Sequence, residues 1–154
     1  MDDLVMRRRI EAPIETVFSF LTEPEKLLRW LGVEGEIDAR PGGALRIDVT
    51  GGDVVVGHYL EITPPTRAVF TWGWIDHPDV PPASTTVSFD LTHDGEATVL
   101  TMTHADLPAG MDDQHAIGWT YFFGRLRSVA TGGDPGPVST HDLGSITPLL
   151  EDLT

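Results

Sequence analysis

Three side chains in this sequence have the chemistry for more than packing. Leu4, Met6 and Ile10 alternate with Val5, Arg7 and Arg9, which is the period of a half-buried strand, and Arg8 falls on the apolar parity. A guanidinium on an apolar strand face must be paired, hydrated or led out to an edge. It can anchor a ligand carboxylate or enol, or it can pair with an acidic neighbour such as Glu61. His104 shares the parity of Leu100 and Met102, and His115 opens an apolar helical stripe. Either imidazole could carry a proton near neutral pH, or simply be hydrogen-bonded at the rim of a cavity. Around them the sequence supplies flat apolar surface from Trp30, Phe70, Trp72, Trp74, Trp119, Phe122 and Phe123, with the placement of Tyr59 open. These rings can form an ordinary core or line a pocket for a flat or aliphatic ligand. The candidate ligand-binding set is therefore Arg8, Trp30, Phe70, Trp72, Trp74, Met102, His104, Trp119, Phe122 and Phe123.

Other chemistries find no foothold. The histidines at 58, 77, 93, 104, 115 and 141 are scattered, with no H-E-x-x-H spacing, so no metal site is expected. G-x-S-x-G is absent, as are the glycine-rich phosphate loops. The absence of cysteine excludes disulfides, thiolate ligands and cysteine nucleophiles. No catalytic residue and no cofactor is assigned.

These residues need elements to position them. In the stretch Asp112 to Thr131, His115, Trp119, Phe122, Leu126 and Val129 step by four, three, four and three, one stripe of a helix. Ala116, Phe123 and Ala130 widen the stripe, and Arg125, Arg127 and Ser128 fall away from it. Asp112 or Asp113 can cap the first turn, and Gly132-Gly133 supplies the stop. Gly118 and Gly124 are costly inside a helix, by about 1 kcal/mol each against alanine. Their presence suggests close packing, or room left beneath a roof. Upstream, Pro13 suits the first position of a short helix carrying Ile14, Val17, Phe18 and Leu21. Thr22 with Glu25 reads as a capping box for a second, carrying Leu27, Leu28, Trp30 and Leu31. From Val33 the period changes to two, giving six further strands separated by short turns and by the proline-rich loop Asp76 to Ala83. The inward parity of 54–62 is not decided, since both of its faces are largely apolar. The pattern is α+β: a strongly curved antiparallel sheet wrapped around one long C-terminal helix, with two short helices after the first strand.

The chain of 154 residues, 40% hydrophobic and 22% charged, suits one globular domain over 1–131, followed by a flexible C-terminal tail over 132–154. A net charge of -14 disfavours nucleic acid and anionic lipid as partners. The charged opening MDDLVMRRRIEAP does not read as a signal peptide, and no apolar run is long enough to insert in a membrane, so a cytoplasmic location is expected.

A family resemblance emerges from motifs in sequence order. They are R-x-I-x-A-P (Arg8 to Pro13), V-F-x-x-L-T-E-P-E (Val17 to Glu25), Trp30, P-G-G (Pro41 to Gly43) and G-x-Y-L-E-I-x-P-P (Gly57 to Pro65). V-F-T-W (Val69 to Trp72), T-x-T-H (Thr101 to His104) and H-x-x-G-W (His115 to Trp119) complete them. Together they resemble the homologues of the activator of the ninety-kilodalton heat-shock protein ATPase, within the START and birch-pollen-allergen (SRPBCC) superfamily. The resemblance implies a helix-grip fold around an apolar cavity. The leading expectation is a binder of a small apolar or aromatic molecule with no established reaction. The alternatives are a cyclase- or hydrolase-type enzyme using Arg8 with His104 or His115, and a co-chaperone-like module. The last would meet a heat-shock protein ATPase, and a homodimer is a further possibility.

Overall fold

The computed structural model describes residues 3–138. The tail expected beyond, with Ile146, Leu149, Leu150 and Leu153, lies outside the described residues. Strand β1 (Leu4–Ile10) leads into helices α1 (Ile14–Thr22) and α2 (Pro24–Leu27). Six strands follow: β2 (Glu34–Ile37), β3 (Ala44–Asp48), β4 (Val54–Thr63), β5 (Arg67–Trp72), β6 (Thr85–Asp94) and β7 (Ala97–Ala105). The long helix α3 (Asp112–Ala130) comes last. The seven strands form one sheet in the order β1-β7-β6-β5-β4-β3-β2, every pairing antiparallel. Only β1 leaves its sequence neighbours, crossing over through the two short helices to pair with β7. This is the expected curved antiparallel sheet with its C-terminal helix.

Register carries the inward face across the sheet. Leu4 lies opposite His104, His104 opposite Val87, Val87 opposite Phe70, and Phe70 opposite Tyr59. Strand β4 settles its own parity by a bulge between Tyr59 and Glu61. Val55 and Tyr59 face inward before the bulge, and Ile62 joins the core after it. The residue left over, Leu60, is 48% exposed. An extra residue shifts the two-residue period by one, which is why both faces of this strand look apolar in sequence. Gly57 marks a close approach of β4 and β5, because a Cβ there would stand 1.9 Å from the Thr71 carbonyl oxygen.

The helical stripe is largely as expected: His115, Trp119, Phe122, Phe123, Leu126, Val129 and Ala130 are all buried, while Ala116 is half-buried. Several local expectations are corrected. Helix α3 begins after Met111 with no side-chain cap, so Asp112 and Asp113 serve only the dipole of its first turn. Pro13 is the N-cap of α1 rather than its first helical residue. Thr22 does not cap α2; its hydroxyl donates back to the Phe18 carbonyl, and α2 starts at Pro24 after Glu23. That helix is four residues long, so Trp30 and Leu31 sit in the turns beyond it. Gly118 and Gly124 make no room against the sheet, since a Cβ at either would meet nothing within 4 Å.

Arg125 is the largest departure. Expected to point away, it is only 7% exposed. Its guanidinium donates to the carbonyls of Trp30 (3.2 Å), Arg29 (3.2 Å) and Pro137 (3.3 Å). One side chain thus fastens α3, the turn after α2 and the segment after α3 together. Val138, just beyond Pro137, packs into the main core, so 132–138 runs back onto the domain.

Candidate functional site

The nominated aromatics come together between the sheet and α3. Trp119 and Phe123 project from α3 one turn apart and stack at 5.3 Å between ring centres. Phe123 also stacks on Trp30 at 6.2 Å. On the sheet side, Phe70 and Trp72 alternate along β5 and Trp74 follows, held by an isolated bridge to Val55. Trp72 is the junction, 5.1 Å from Trp119, 5.4 Å from Trp74 and 6.1 Å from Phe70. Phe89, which was not nominated, touches Trp30, Phe70, Trp119 and Phe123. Its clean alternation along β6 was the available signal. Met102 lies opposite Phe89 in the same buried surface. Phe122 is buried too, but its ring partner is Tyr121 at 5.0 Å.

The two histidines also meet. His104 from β7 and His115 from α3 stand edge to face, 5.0 Å between ring centres. Each accepts a hydrogen bond from a tryptophan. Trp119 Nε1 donates to His104 Nδ1 at 3.2 Å, and Trp74 Nε1 donates to His115 Nε2 at 3.1 Å. An indole can only donate, so these contacts fix both tautomers. His104 carries its proton on Nε2 and gives it to Thr85 Oγ1 at 2.9 Å; Thr85 in turn donates to the Trp72 carbonyl at 2.7 Å. His115 carries its proton on Nδ1 and gives it to the Met111 carbonyl at 2.8 Å. Burial holds His104 well below the ordinary imidazole value, with His115 adding to the effect. His115 is lowered as well, first by burial, against the raising influence of the Met111 bond. Both are neutral hydrogen-bonded spacers, with neither a lone pair nor a proton to spare. Thr85, the third member, had no sequence signal; it simply follows the proline-rich loop.

Arg8 stands apart from them. It faces inward and half-buried opposite Leu100, four residues from His104 along β7, which is about 13 Å at the usual strand rise. Its guanidinium lies 6.0 Å from the centre of the Phe123 ring and donates to the Arg7 carbonyl at 2.9 Å. The expected pair with Glu61 does not form: Arg8 is on β1 and Glu61 on β4, four places away in the sheet, where it pairs with Arg67.

Among the described residues, three buried side-chain polar atoms have no hydrogen-bond partner: Tyr59 Oη, Trp72 Nε1 and Gln114 Nε2. Tyr59 and Trp72 flank Phe70 within the aromatic cluster. Burial pushes the Tyr59 hydroxyl far above the ordinary phenol range, so it remains a neutral donor. By contrast, a concavity of about 550 Å³ lies outside the grip, where Glu11, Pro13, Glu15, His93 and Glu96 line the junction of β1, α1 and the β6–β7 turn.

Residues 11–131 match the family described as Activator of Hsp90 ATPase homolog 1-like protein. The chain belongs to this AHSA1 family. An AHSA1-like protein from Rhizobium etli shares 40% identity, with a TM-score of 0.67 over 88% of this chain and 87% of its own. CalU16 from Micromonospora echinospora shares 27% identity, with a TM-score of 0.72 over 97% of this chain and 86% of its own. DynU16, a protein of the dynemicin biosynthetic locus, shares 27% identity with a TM-score of 0.76 over 88% of this chain. The AHSA1 domain here spans about half, 49%, of DynU16. No curated protein matches the sequence. Among the described residues, no helix of this AHSA1 chain is long and apolar enough to cross a membrane.

Proposed function

We propose that this AHSA1-family domain binds a small apolar or aromatic molecule between the sheet and α3. One observation carries the reading: two donors, Trp72 Nε1 and the Tyr59 hydroxyl, are buried without partners inside an otherwise aromatic surface. Leaving a buried donor unpaired costs about 1–3 kcal/mol, and native interiors rarely tolerate it without a purpose. Trp119 and Phe123 on α3 meet Trp72 and Phe89 on the sheet ring to ring, and these are the flat surfaces that such a molecule would part. The relative from the dynemicin biosynthetic locus adds a small-molecule context. The enzyme alternative loses its machinery, since Arg8 is remote from the histidines and both imidazoles are fully committed.

Native mass spectrometry of the purified protein tests the reading. A co-purifying small molecule that is released on denaturation supports it. A polypeptide mass alone, together with no thermal stabilisation by a lipid extract, sinks it.

A further inference from the structure

Acidic side chains outnumber basic ones 24 to 10, yet three arginines find no carboxylate and stand together. Among the described residues, Arg9, Lys26, Arg40 and Arg67 each pair with an acid. Arg125 is spent on buried carbonyls, Arg29 lies over the Phe20 ring, and Arg46 sits opposite Glu36 on the next strand. Arg7, Arg8 and Arg127 remain, and all three border β1, an outermost strand of the sheet. Arg8 donates to the Arg7 carbonyl at 2.9 Å, and Arg127 reaches from α3 to the Arg9 carbonyl at 3.2 Å. Two residues of strand separate those carbonyls, about 7 Å at the usual rise. The N–H groups of Arg7 and Arg9 share that edge, because a strand residue turns both backbone groups to one side. Arg7 itself is exposed on the outer face, its Nε donating to the Thr101 hydroxyl at 3.3 Å. The edge therefore offers backbone pairing groups alternating with cations that lack counter-charges.

We infer that the free edge of β1 docks an extended acidic segment of another protein, which adds to the sheet as an eighth strand. The segment's N–H groups take over the Arg7 and Arg9 carbonyls, and its own carbonyls accept from the Arg7 and Arg9 N–H groups. Arg8 and Arg127, released from those carbonyls, then pair with carboxylates at alternate residues of the segment. Alternate side chains of an extended chain recur at the same 7 Å or so, so the two spacings match. A second copy of this chain fits less well. Pairing β1 with β1 sets arginines against arginines, which is destabilising. The opposite edge strand, β2, is acidic through Glu34 and Glu36 but only four residues long. So short a ladder falls below the roughly 1,000 Å² that a stable interface buries. A free segment can run along all seven residues of β1. This surface is independent of the binding reading above.

Three end-blocked, dye-labelled peptides test it against the full chain at low salt, by fluorescence anisotropy and amide hydrogen exchange. One alternates glutamate with threonine, one carries lysine in place of each glutamate, and one is the acidic peptide with every amide N-methylated. The acidic peptide is expected to bind and to slow exchange at the Arg7 and Arg9 amides, while the lysine peptide does neither. Arg8→Gln and Arg127→Gln should each weaken binding about fivefold, the worth of one exposed ion pair. Arg46→Gln, away from this edge, should leave it unchanged. The exchange readout needs no variant, so it reports even if one of them fails to fold. Equal binding of the N-methylated peptide overturns strand addition in favour of a bare charge patch. Arg7 and Arg9 amides already protected without peptide overturn it too. The occupant is then a second copy if protection falls on dilution, and the chain itself if it does not. No binding of the acidic peptide overturns it outright.

Discussion

Arg125 shows how much one side chain can fasten. Its planar fork reaches three main-chain carbonyls from two segments, an arrangement that a lysine ammonium cannot span from one position. Arg125→Lys is expected to lower the unfolding free energy by about 2 kcal/mol in urea, because at least one buried carbonyl loses its donor. Tyr59 makes the opposite case. Its hydroxyl is buried with no partner, so Tyr59→Phe removes a desolvation cost and no bond. Stability in urea should be unchanged or higher by up to about 1 kcal/mol. A loss of more than that would show that the hydroxyl is held by something in solution. At this scale the sequence was partly legible. Parity alone placed Arg8 inward and His104 on the buried face. It could not say that Glu61 would be drawn to Arg67, nor that Thr85 would close the His104 network, because both depend on neighbours from distant strands.

At the scale of elements, α3 was the most legible feature, because its apolar residues keep helical spacing over five turns. Arg125 escaped that reading since its long stem crosses the helix flank and its head finds carbonyls that only the folded α2 turn provides. The bulge in β4 escaped it for a related reason: one extra residue mimics a strand that is apolar on both faces. Gly118 and Gly124 test the revised view of α3. Neither has a neighbour that a methyl group would meet. Gly118→Ala and Gly124→Ala should therefore each raise the unfolding free energy by about 1 kcal/mol through helix propensity. Destabilisation in either variant would mean that the glycine is needed for close approach after all. Strand β1 shows a different economy. It lies at the edge of the sheet, where unpaired carbonyls invite another strand. Arg8 covers the Arg7 carbonyl and Arg127 covers the Arg9 carbonyl. The arginine run thus reads as edge protection as well as a solvated face.

For the molecule as a whole, helix and sheet are joined by two crossed clamps, Trp119 to His104 and Trp74 to His115. Each clamp needs an imidazole lone pair, and protonation removes it. Both histidines have folded pKa values below the ordinary 6.5. The unfolded chain therefore takes up protons first as the pH falls, and the stability that is full above 6.5 declines below it. Urea midpoints should drop between pH 7.5 and 5.5. The double variant His104→Leu, His115→Leu should flatten that slope, and a wild-type midpoint that does not move across the window would refute the clamp. The same clamps bring Trp119 into ring contact with Trp72 at 5.1 Å, beside the Trp72–Trp74 pair at 5.4 Å on the sheet. Transition dipoles that close couple as excitons, so the chain carries a built-in chiroptical reporter of helix against sheet. Lifting α3 by a few ångströms, for a guest or on the way to unfolding, would draw Trp119 away from Trp72 and change the circular-dichroism couplet, leaving only the Trp72–Trp74 part, before any secondary structure is lost.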